Sequence, residues 1–81
     1  MDIDFMLLQY LGDYFKNHQT ICIFIRDQQR WIENALITEL KNGIVSVCYT
    51  VVETEEDKQL SSEWIERIRI ESIGSIAERK S

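Results

Sequence analysis

The stretch KNGIVSVCYTVV, residues Lys41–Val52, decides the fold class of this chain. Asn42 and Gly43 readily take the positive φ angles that a two-residue type I′ hairpin loop requires. The residues after Gly43 are mostly valine, isoleucine and threonine, whose β-branched side chains favour strands. The stretch therefore predicts the turn of a β-hairpin, followed by the second strand of that hairpin.

Strand patterns continue on both sides of this hairpin. Thr20–Arg26 is apolar on both faces, which predicts a strand in the middle of a sheet. Ser62–Ile70 alternates apolar and charged residues, and a short last strand can follow Gly74. The acidic run Glu53–Asp57, which follows Val52 and precedes Ser62–Ile70, is interpreted as a solvated hairpin loop. It lacks the spacing and the glycine of a calcium-binding loop. With Trp31–Leu40, these segments predict about five short strands.

The strand Trp31–Leu40 has an ambiguous interior face. One possible set of interior side chains is Ile32, Leu36 and Leu40, and the other is Ala35 with Ile37. A change of phase within one strand is typical of a β-bulge, in which one extra residue shifts the alternation.

A helix is predicted before the strands, over about residues 2–17, with Asp2 or Asp4 as its N-cap. Its apolar residues cover well over half of the helix circumference; they are Phe5, Met6, Leu7, Leu8, Tyr10, Leu11, Tyr14 and Phe15. A helix that covers one side of a small sheet needs a narrower apolar stripe. The excess predicts either that this helix plugs an open end of the sheet or that its second face contacts another chain.

Length and composition limit the possible classes of protein. The chain has 81 residues, a net charge of −5 and no proline, so we predict a single domain over residues 1–81. Five strands over about residues 20–78 cannot lie flat with one side bare. We therefore expect a mainly β fold with one N-terminal helix, in which a strongly bent five-stranded antiparallel barrel has the helix over an open end. The acidic N-terminus and the short apolar runs predict no signal peptide and no membrane span, hence a cytoplasmic protein.

Two stretches carry a resemblance to a known fold family. ALITELKNGIVSV (Ala35–Val47) looks like the second strand, turn and third strand of the Sm-like fold, and IRIESIGSIAER (Ile68–Arg79) looks like its closing strands. The resemblance implies a small Sm-like barrel, or the similar SH3-like barrel, and it implies RNA binding as a possible activity. In addition, FIRDQQRWIENA (Phe24–Ala35) and WIERIRIESIG (Trp64–Gly74) are similar to stretches of an uncharacterised family of short cyanobacterial proteins.

No residue pattern predicts catalysis, a cofactor or a metal. Cys22 and Cys48 lie in apolar strands without a neighbouring base, so we interpret them as small buried hydrophobes; a redox pair would require their strands to be neighbours. His18 stands alone after the helix, where a cation is favoured, and it lacks the partners that a zinc site needs. An enzyme is therefore not expected.

The sequence favours a protein-interaction or regulatory module that self-associates through its N-terminal helix and is at least a dimer in solution. Arginine and tryptophan are enriched in interface hot spots, which adds the turn after the first strand to the surface. The predicted partner-binding residues are Phe5, Met6, Tyr10, Tyr14, Arg26, Arg30 and Trp31. The alternative is an Sm-like RNA-binding protein, which the acidic charge disfavours. Its predicted contacts are Arg26, Arg30, Trp31, Arg67 and Arg69.

Overall fold

One helix is followed by five β-strands in a computed structural model, which describes residues 5–80. The elements are α1 (Phe5–Lys16), β1 (Thr20–Ile25), β2 (Arg30–Lys41), β3 (Ile44–Glu55), β4 (Lys58–Arg69) and β5 (Ile73–Ala77), with a 3-10 turn at Ile70–Ser72 between β4 and β5. The prediction of a mainly β fold with one N-terminal helix is confirmed. The predicted cap at Asp2 or Asp4 lies outside the described residues.

The five strands form one antiparallel sheet in the order β4-β3-β2-β1-β5. Strand β1 lies between β2 and β5, so its predicted central position is confirmed. Strands β4 and β5 are the two edges and do not pair with each other, so the sheet is not closed. Its inner face carries a single buried cluster, to which the buried residues of α1 also belong.

Helix α1 lies against β2 and buries only part of its apolar surface. Leu11 and Tyr14 are buried, and Leu7 and Leu8 pack partly against the same core. These positions are spaced by three and four residues, so they form one stripe along the helix. The stripe that the sheet covers is narrower than the apolar surface that the helix carries.

Strand β2 contains the predicted bulge. Its register against β1 shifts between Ile21 and Ile23, and Asn34 adopts a φ of 54°. Since one extra residue reverses the alternation, Ile32 on one side of the bulge and Ala35 and Ile37 on the other all point inward. Leu40, which follows a second register shift between Ile37 and Glu39, also packs against the core, so the interior set takes two residues from the first predicted set and both from the second.

Strands β3 and β4 form a hairpin that extends beyond the rest of the sheet. Each strand has twelve residues, and their register runs without a shift. Strand β2 pairs with β3 only as far as Cys48. From Tyr49 through the turn to Trp64 the hairpin is thus two-stranded, and we call this segment the arm. The molecule is correspondingly elongated, with extents of 48 × 27 × 22 Å.

The turn between β2 and β3 and the turn between β3 and β4 each consist of two residues with positive φ. The predicted turn at Asn42-Gly43 is confirmed, with φ angles of 53° and 75°. A hairpin does turn within Glu53–Asp57, but the predicted length of its loop is wrong, because β3 continues to Glu55 and only Glu56 and Asp57 turn, with φ of 50° and 64°. Local composition did not reveal that the turn is so short, because Glu56 is not a typical type I′ residue.

Replacing Glu56-Asp57 by Asn-Gly should stabilise the protein. Positive φ is costly for most L-residues, whereas Asn and Gly accept it readily. We expect the double substitution to raise the free energy of unfolding by about 1 kcal/mol, seen as a melting temperature higher by about 4–8 °C. Asp57→Ala is the control, since it removes the charge but keeps an L-residue at positive φ, and it should bring no gain. A gain of equal size in the control would show that charge, not backbone conformation, limits the turn.

Candidate interaction site

The exposed part of α1 forms an apolar surface that we call the helix patch: Phe5, Met6 and Tyr10. Their side chains are 76%, 62% and 49% exposed. Met6 and Tyr10 are four residues apart and therefore adjacent on the helix surface. Phe15 is less exposed, at 38%. Three of the four predicted helix contacts are thus available to a partner.

Tyr14 is the exception, and its predicted role in partner binding needs correction. The side chain is buried, and its hydroxyl donates a hydrogen bond to Oε1 of Glu78 at 2.6 Å. Burial, together with this hydrogen bond, raises the pKa of Tyr14 to about 12. The hydrogen bonds from Tyr14 and Gln19 in turn lower the pKa of Glu78. Tyr14 therefore anchors the helix to the segment after β5, and its ring lies beside that of Tyr10, with centroids 6.4 Å apart.

The turn between β1 and β2 is attached to the 3-10 turn at Ile70–Ser72. The guanidinium of Arg26 donates to the carbonyl oxygen of Glu71, and its backbone amide donates to that of Ser72 at 2.8 Å. Asp27 accepts a hydrogen bond from the Ser72 hydroxyl at 2.8 Å. Arg26, a predicted partner contact, is thus engaged within the chain and holds two loops together.

Trp31 lies on the outer face of the sheet and is exposed. Its ring packs beside that of Phe24 on β1, with centroids 5.3 Å apart. Phe24 in turn lies over Gly74, where an added Cβ would come within 3.1 Å of the Phe24 ring. The Trp31 ring therefore packs against Phe24, and its exposed part remains available for contact with a partner.

Arg30 lies on the inner side of the sheet and joins β2 to β4. Its guanidinium forms an ion pair with Glu66, which also accepts a hydrogen bond from the Tyr49 hydroxyl at 2.8 Å. Burial alone would raise the pKa of Glu66, but the hydrogen bonds from Arg30 and Tyr49 outweigh it, so the pKa lies below its ordinary value. The bond to Glu66 raises the pKa of Arg30 further.

Sequence reasoning missed Tyr49 and Glu66 as members of this network. A signal was present, since Glu66 is two residues before Ile68 and therefore shares its face of β4. Ile68 is buried, so a carboxylate on that face requires a partner.

The residues predicted to bind RNA do not form a continuous basic surface. Arg30 lies on the inner face, whereas Arg67 and Arg69 lie on the outer face of β4. Arg69 Nη1 is 3.7 Å from Oε1 of Glu71. Trp31 is on β2, separated from β4 by β3. Arg26, Arg30 and Arg69 each have a carboxylate or carbonyl oxygen of the same chain as a partner.

The arm carries a second exposed apolar surface, which the sequence did not predict. Leu60 and Trp64 are exposed on the face that continues the core, and Val52 and Ile65 on the opposite face. Tyr49, Val51 and Trp64 line a shallow, open groove that reaches the Arg30–Glu66 pair. These side chains are exposed because β2 ends its pairing with β3 at Cys48, a property that no local pattern encodes.

The two cysteines are free and lie on strands that are not neighbours, since β2 separates β1 from β3. Two strand spacings amount to about 10 Å, beyond the Cα separation that a disulfide bridges. Within residues 5–80, no three His, Cys, Asp or Glu side chains come together as a metal-binding group. The same part of the chain contains no helix long and apolar enough to cross a membrane.

Comparison with known proteins gives one match. No curated protein and no solved structure matches the chain. A family model described as a family of unknown function, DUF6679, matches residues 6–81, which include all five strands and nearly all of α1. The chain therefore belongs to the DUF6679 family.

Proposed function

We propose that this chain is a non-enzymatic protein-interaction module that self-associates through the helix patch. The observation that carries the proposal is that Phe5, Met6 and Tyr10 stay exposed although α1 is docked on the sheet through Leu11 and Tyr14. A contiguous exposed apolar surface on a small protein is typical of an interface. The helix thus has two roles, since one side completes the core and the other side meets a partner.

A second copy of the chain is the partner that best fits this patch. The chain carries a net charge of −5, so two copies repel each other, and a contact made by uncharged side chains adds no close pair of like charges to this repulsion. Phe5, Met6 and Tyr10 carry no charge. A two-fold axis through the patch would place the same residues of both copies against each other, as in most homodimers.

We infer that the sheet is a strongly bent, open form of a small Sm-like or SH3-like barrel. The order β4-β3-β2-β1-β5 and the Arg30–Glu66 pair, which joins strands that are not adjacent, support this inference. A cytoplasmic location fits the two unpaired cysteines, since reduced thiols are usual there.

Met6→Glu tests the role of the helix patch. A charge at this position would be buried without a partner in the contact, so we expect self-association to weaken by at least about tenfold. Sedimentation equilibrium over a range of protein concentrations measures the effect. Thr54→Glu is the matched control, because it adds the same charge at an exposed position of β3, away from α1, and should leave the assembly unchanged. Equal assembly in the wild type and in Met6→Glu would contradict the proposal.

RNA binding is the alternative function. Two of its predicted contacts, Trp31 and Arg67, are exposed, but the other three have carboxylate or carbonyl partners within the chain. A titration with short single-stranded RNA at low salt separates the two functions, because electrostatic binding is strongest there. Binding at low salt that Arg67→Ala abolishes would favour the alternative.

A further inference from the structure

We propose that two copies of the chain also pair along the open edge of β4, antiparallel to each other around a two-fold axis at Ile65. The pairing would join two five-stranded sheets into one continuous sheet. This pairing uses a different surface from the helix patch, and it does not depend on whether the helix patch self-associates.

The edge of β4 is open along its whole length. Within residues 5–80, β4 pairs only with β3. Edge strands are usually protected by bulges, prolines, short length or several lysines. Strand β4 has twelve residues in unbroken register and no proline, and its single lysine is at its first position. Such an edge readily accepts another strand.

The backbone groups at the centre of this edge point outward. A two-residue hairpin loop is closed by a hydrogen-bonded pair, here Glu55 and Lys58. Hydrogen-bonded and non-hydrogen-bonded pairs alternate along an antiparallel ladder. Every second residue from Gln59 onward, including Glu63, Ile65 and Arg67, therefore directs its amide and carbonyl groups away from β3. These groups are the ones that a further antiparallel strand needs.

The charges on β4 are complementary to themselves around Ile65. Glu63 and Arg67 lie two residues before and two residues after it, on the same face. Within the chain they are opposite Thr50 and Ser46, so neither has a charged residue across the strand pair. A two-fold axis at Ile65 places Glu63 opposite Arg67 of the partner subunit, and it does so twice. Opposite charges at facing positions stabilise a strand pair.

Ile65 itself fits the position on the axis. Its side chain is 62% exposed, although it lies in the middle of a strand. On the axis it meets its own copy, which removes apolar surface from water on both sides. It also extends an apolar row across the outer face, since Ile65 is opposite Cys48, and Cys48 is opposite Leu36.

Other registers of the same edge are less favourable. An axis at Glu63 or at Glu66 would bring two identical carboxylates face to face, and an axis at Arg67 would do the same with two guanidinium groups. Like charges directly opposite each other destabilise a strand pair. An axis at Trp64 would leave Glu63 opposite Ile65 without its complement. The axis at Ile65 both matches the charges and covers an exposed apolar side chain.

The pairing also supports the arm. A two-stranded hairpin is marginally stable in water by itself. In the proposed register, Ser61 of one copy lies opposite Arg69 of the other, so the β4 half of each arm runs beside the base of its partner's sheet. The arm then becomes part of a sheet of more than two strands, which gives its projection beyond β2 a physical reason.

Charge reversal at Glu63 tests the proposal. Glu63→Arg places two arginines opposite each other at both ends of the contact, and Arg67→Glu does the same with two glutamates. Each variant alone should pair along β4 at least about tenfold more weakly than the wild type. Glu53→Arg is the control, because it makes the same charge change on the arm outside the paired residues. Equal assembly in Glu63→Arg and the wild type would overturn the proposal.

Mixing the two variants gives the sharper result. In a mixed pair, the arginine introduced by Glu63→Arg in one copy faces the glutamate introduced by Arg67→Glu in the other. The unchanged Arg67 of the first copy faces the unchanged Glu63 of the second, so both contacts are attractive again. With Met6→Glu added to both chains, so that the helix patch cannot join them, we expect the equimolar mixture to form a heterodimer, although neither variant alone pairs through β4. Native mass spectrometry distinguishes heterodimers from homodimers, and a mixture that shows no heterodimer would also overturn the proposal, since the two-fold geometry requires this rescue.

A background lacking the helix contact separates the two proposals. In Met6→Glu chains, pairing through β4 should still give a dimer, and adding Glu63→Arg should give a monomer. Amide hydrogen exchange supplies an independent readout, since the amides of Glu63, Ile65 and Arg67 should become protected as concentration rises. A Met6→Glu chain that is monomeric and lacks this protection would contradict pairing through β4, while leaving the helix patch as the interface.

Discussion

Leu11→Ala should cause the largest loss of stability among the substitutions considered for this chain. Leu11 is fully buried between α1 and the sheet. Truncating such a side chain removes its transfer free energy and leaves a cavity, so we expect the free energy of unfolding to fall by about 3 kcal/mol. That is a large share of the roughly 5–15 kcal/mol that stabilises a typical domain. Thermal and urea unfolding measure the change.

The loss should appear first in the helix. With twelve residues and an internal Gly12, α1 is at the length where isolated helices are marginal in water. Once Leu11 is truncated, Tyr14 and its bond to Glu78 are the main remaining anchor. Far-ultraviolet circular dichroism should therefore show helix loss before the sheet unfolds. Lys16→Ala, an exposed change in the same helix, is the control, and an equal loss in both variants would contradict the assigned core.

Arg30→Met should have the second largest effect on stability. The substitution keeps much of the side-chain volume but leaves the carboxylate of Glu66 with only the Tyr49 hydroxyl as its hydrogen-bond partner. Removing one member of a buried ion pair is strongly destabilising, but the Arg30 side chain is 38% exposed, so solvent reduces the loss. We expect the free energy of unfolding to fall by about 1.5 kcal/mol at neutral pH.

The pH dependence identifies Glu66 as the partner. Its pKa in the folded chain lies below the ordinary value of 4.5, so the stabilising contribution of its charge is present above that value. This contribution is lost as the pH falls through the folded pKa. The difference between the wild type and Arg30→Met should therefore shrink well below pH 4.5.

A double-mutant cycle with Glu66→Gln is the companion measurement. Because the two side chains contact each other, the effects of Arg30→Met and Glu66→Gln should not add. The second substitution should cost less in the Arg30→Met background than in the wild type. Fully additive losses that do not change with pH would show that Arg30 stabilises the chain through packing alone.

The two proposed contacts predict how copies assemble. The helix patch and the β4 edge would each join two copies around a separate two-fold axis. If the two axes intersect at right angles, the assembly closes as a tetramer, and if they intersect at a smaller angle that divides 180° evenly, it closes with more copies; axes that do not intersect give an open chain. The size of the wild-type assembly, compared with each single-interface variant, therefore reports the angle between the axes.

Strong local patterns predicted most of the fold. The Asn42-Gly43 turn, the order of a helix followed by five strands and the bulge in β2 all follow from turn chemistry and side-chain alternation. The predicted length of the loop at Glu53–Asp57 was wrong because charged residues are common both in loops and in solvent-exposed strands. In the arm, the charged residues Glu53 and Glu55 belong to an exposed strand that pairs with β4 without a register shift.

The candidate site was only partly predictable. Helical spacing placed Tyr10 and Tyr14 on one broad apolar surface, but only the position of the sheet determines that Tyr14 is buried and Tyr10 is exposed. Sequence reasoning predicted that Arg30 contacts a partner from the turn after the first strand, whereas its guanidinium pairs with Glu66 within the chain. Its partner, Glu66, is 36 residues away in the sequence, beyond the range of any local pattern.

The sequence by itself determined the elements of this protein, because turns, alternation and helical periodicity depend on neighbouring residues. Only the tertiary structure decided which apolar side chains stay exposed, how far the β3–β4 hairpin projects beyond β2, and which edge of the sheet is open. Those features depend on how segments that are far apart in the sequence pack and pair with one another. Both proposed contacts, at the helix patch and along β4, rest on that second kind of information.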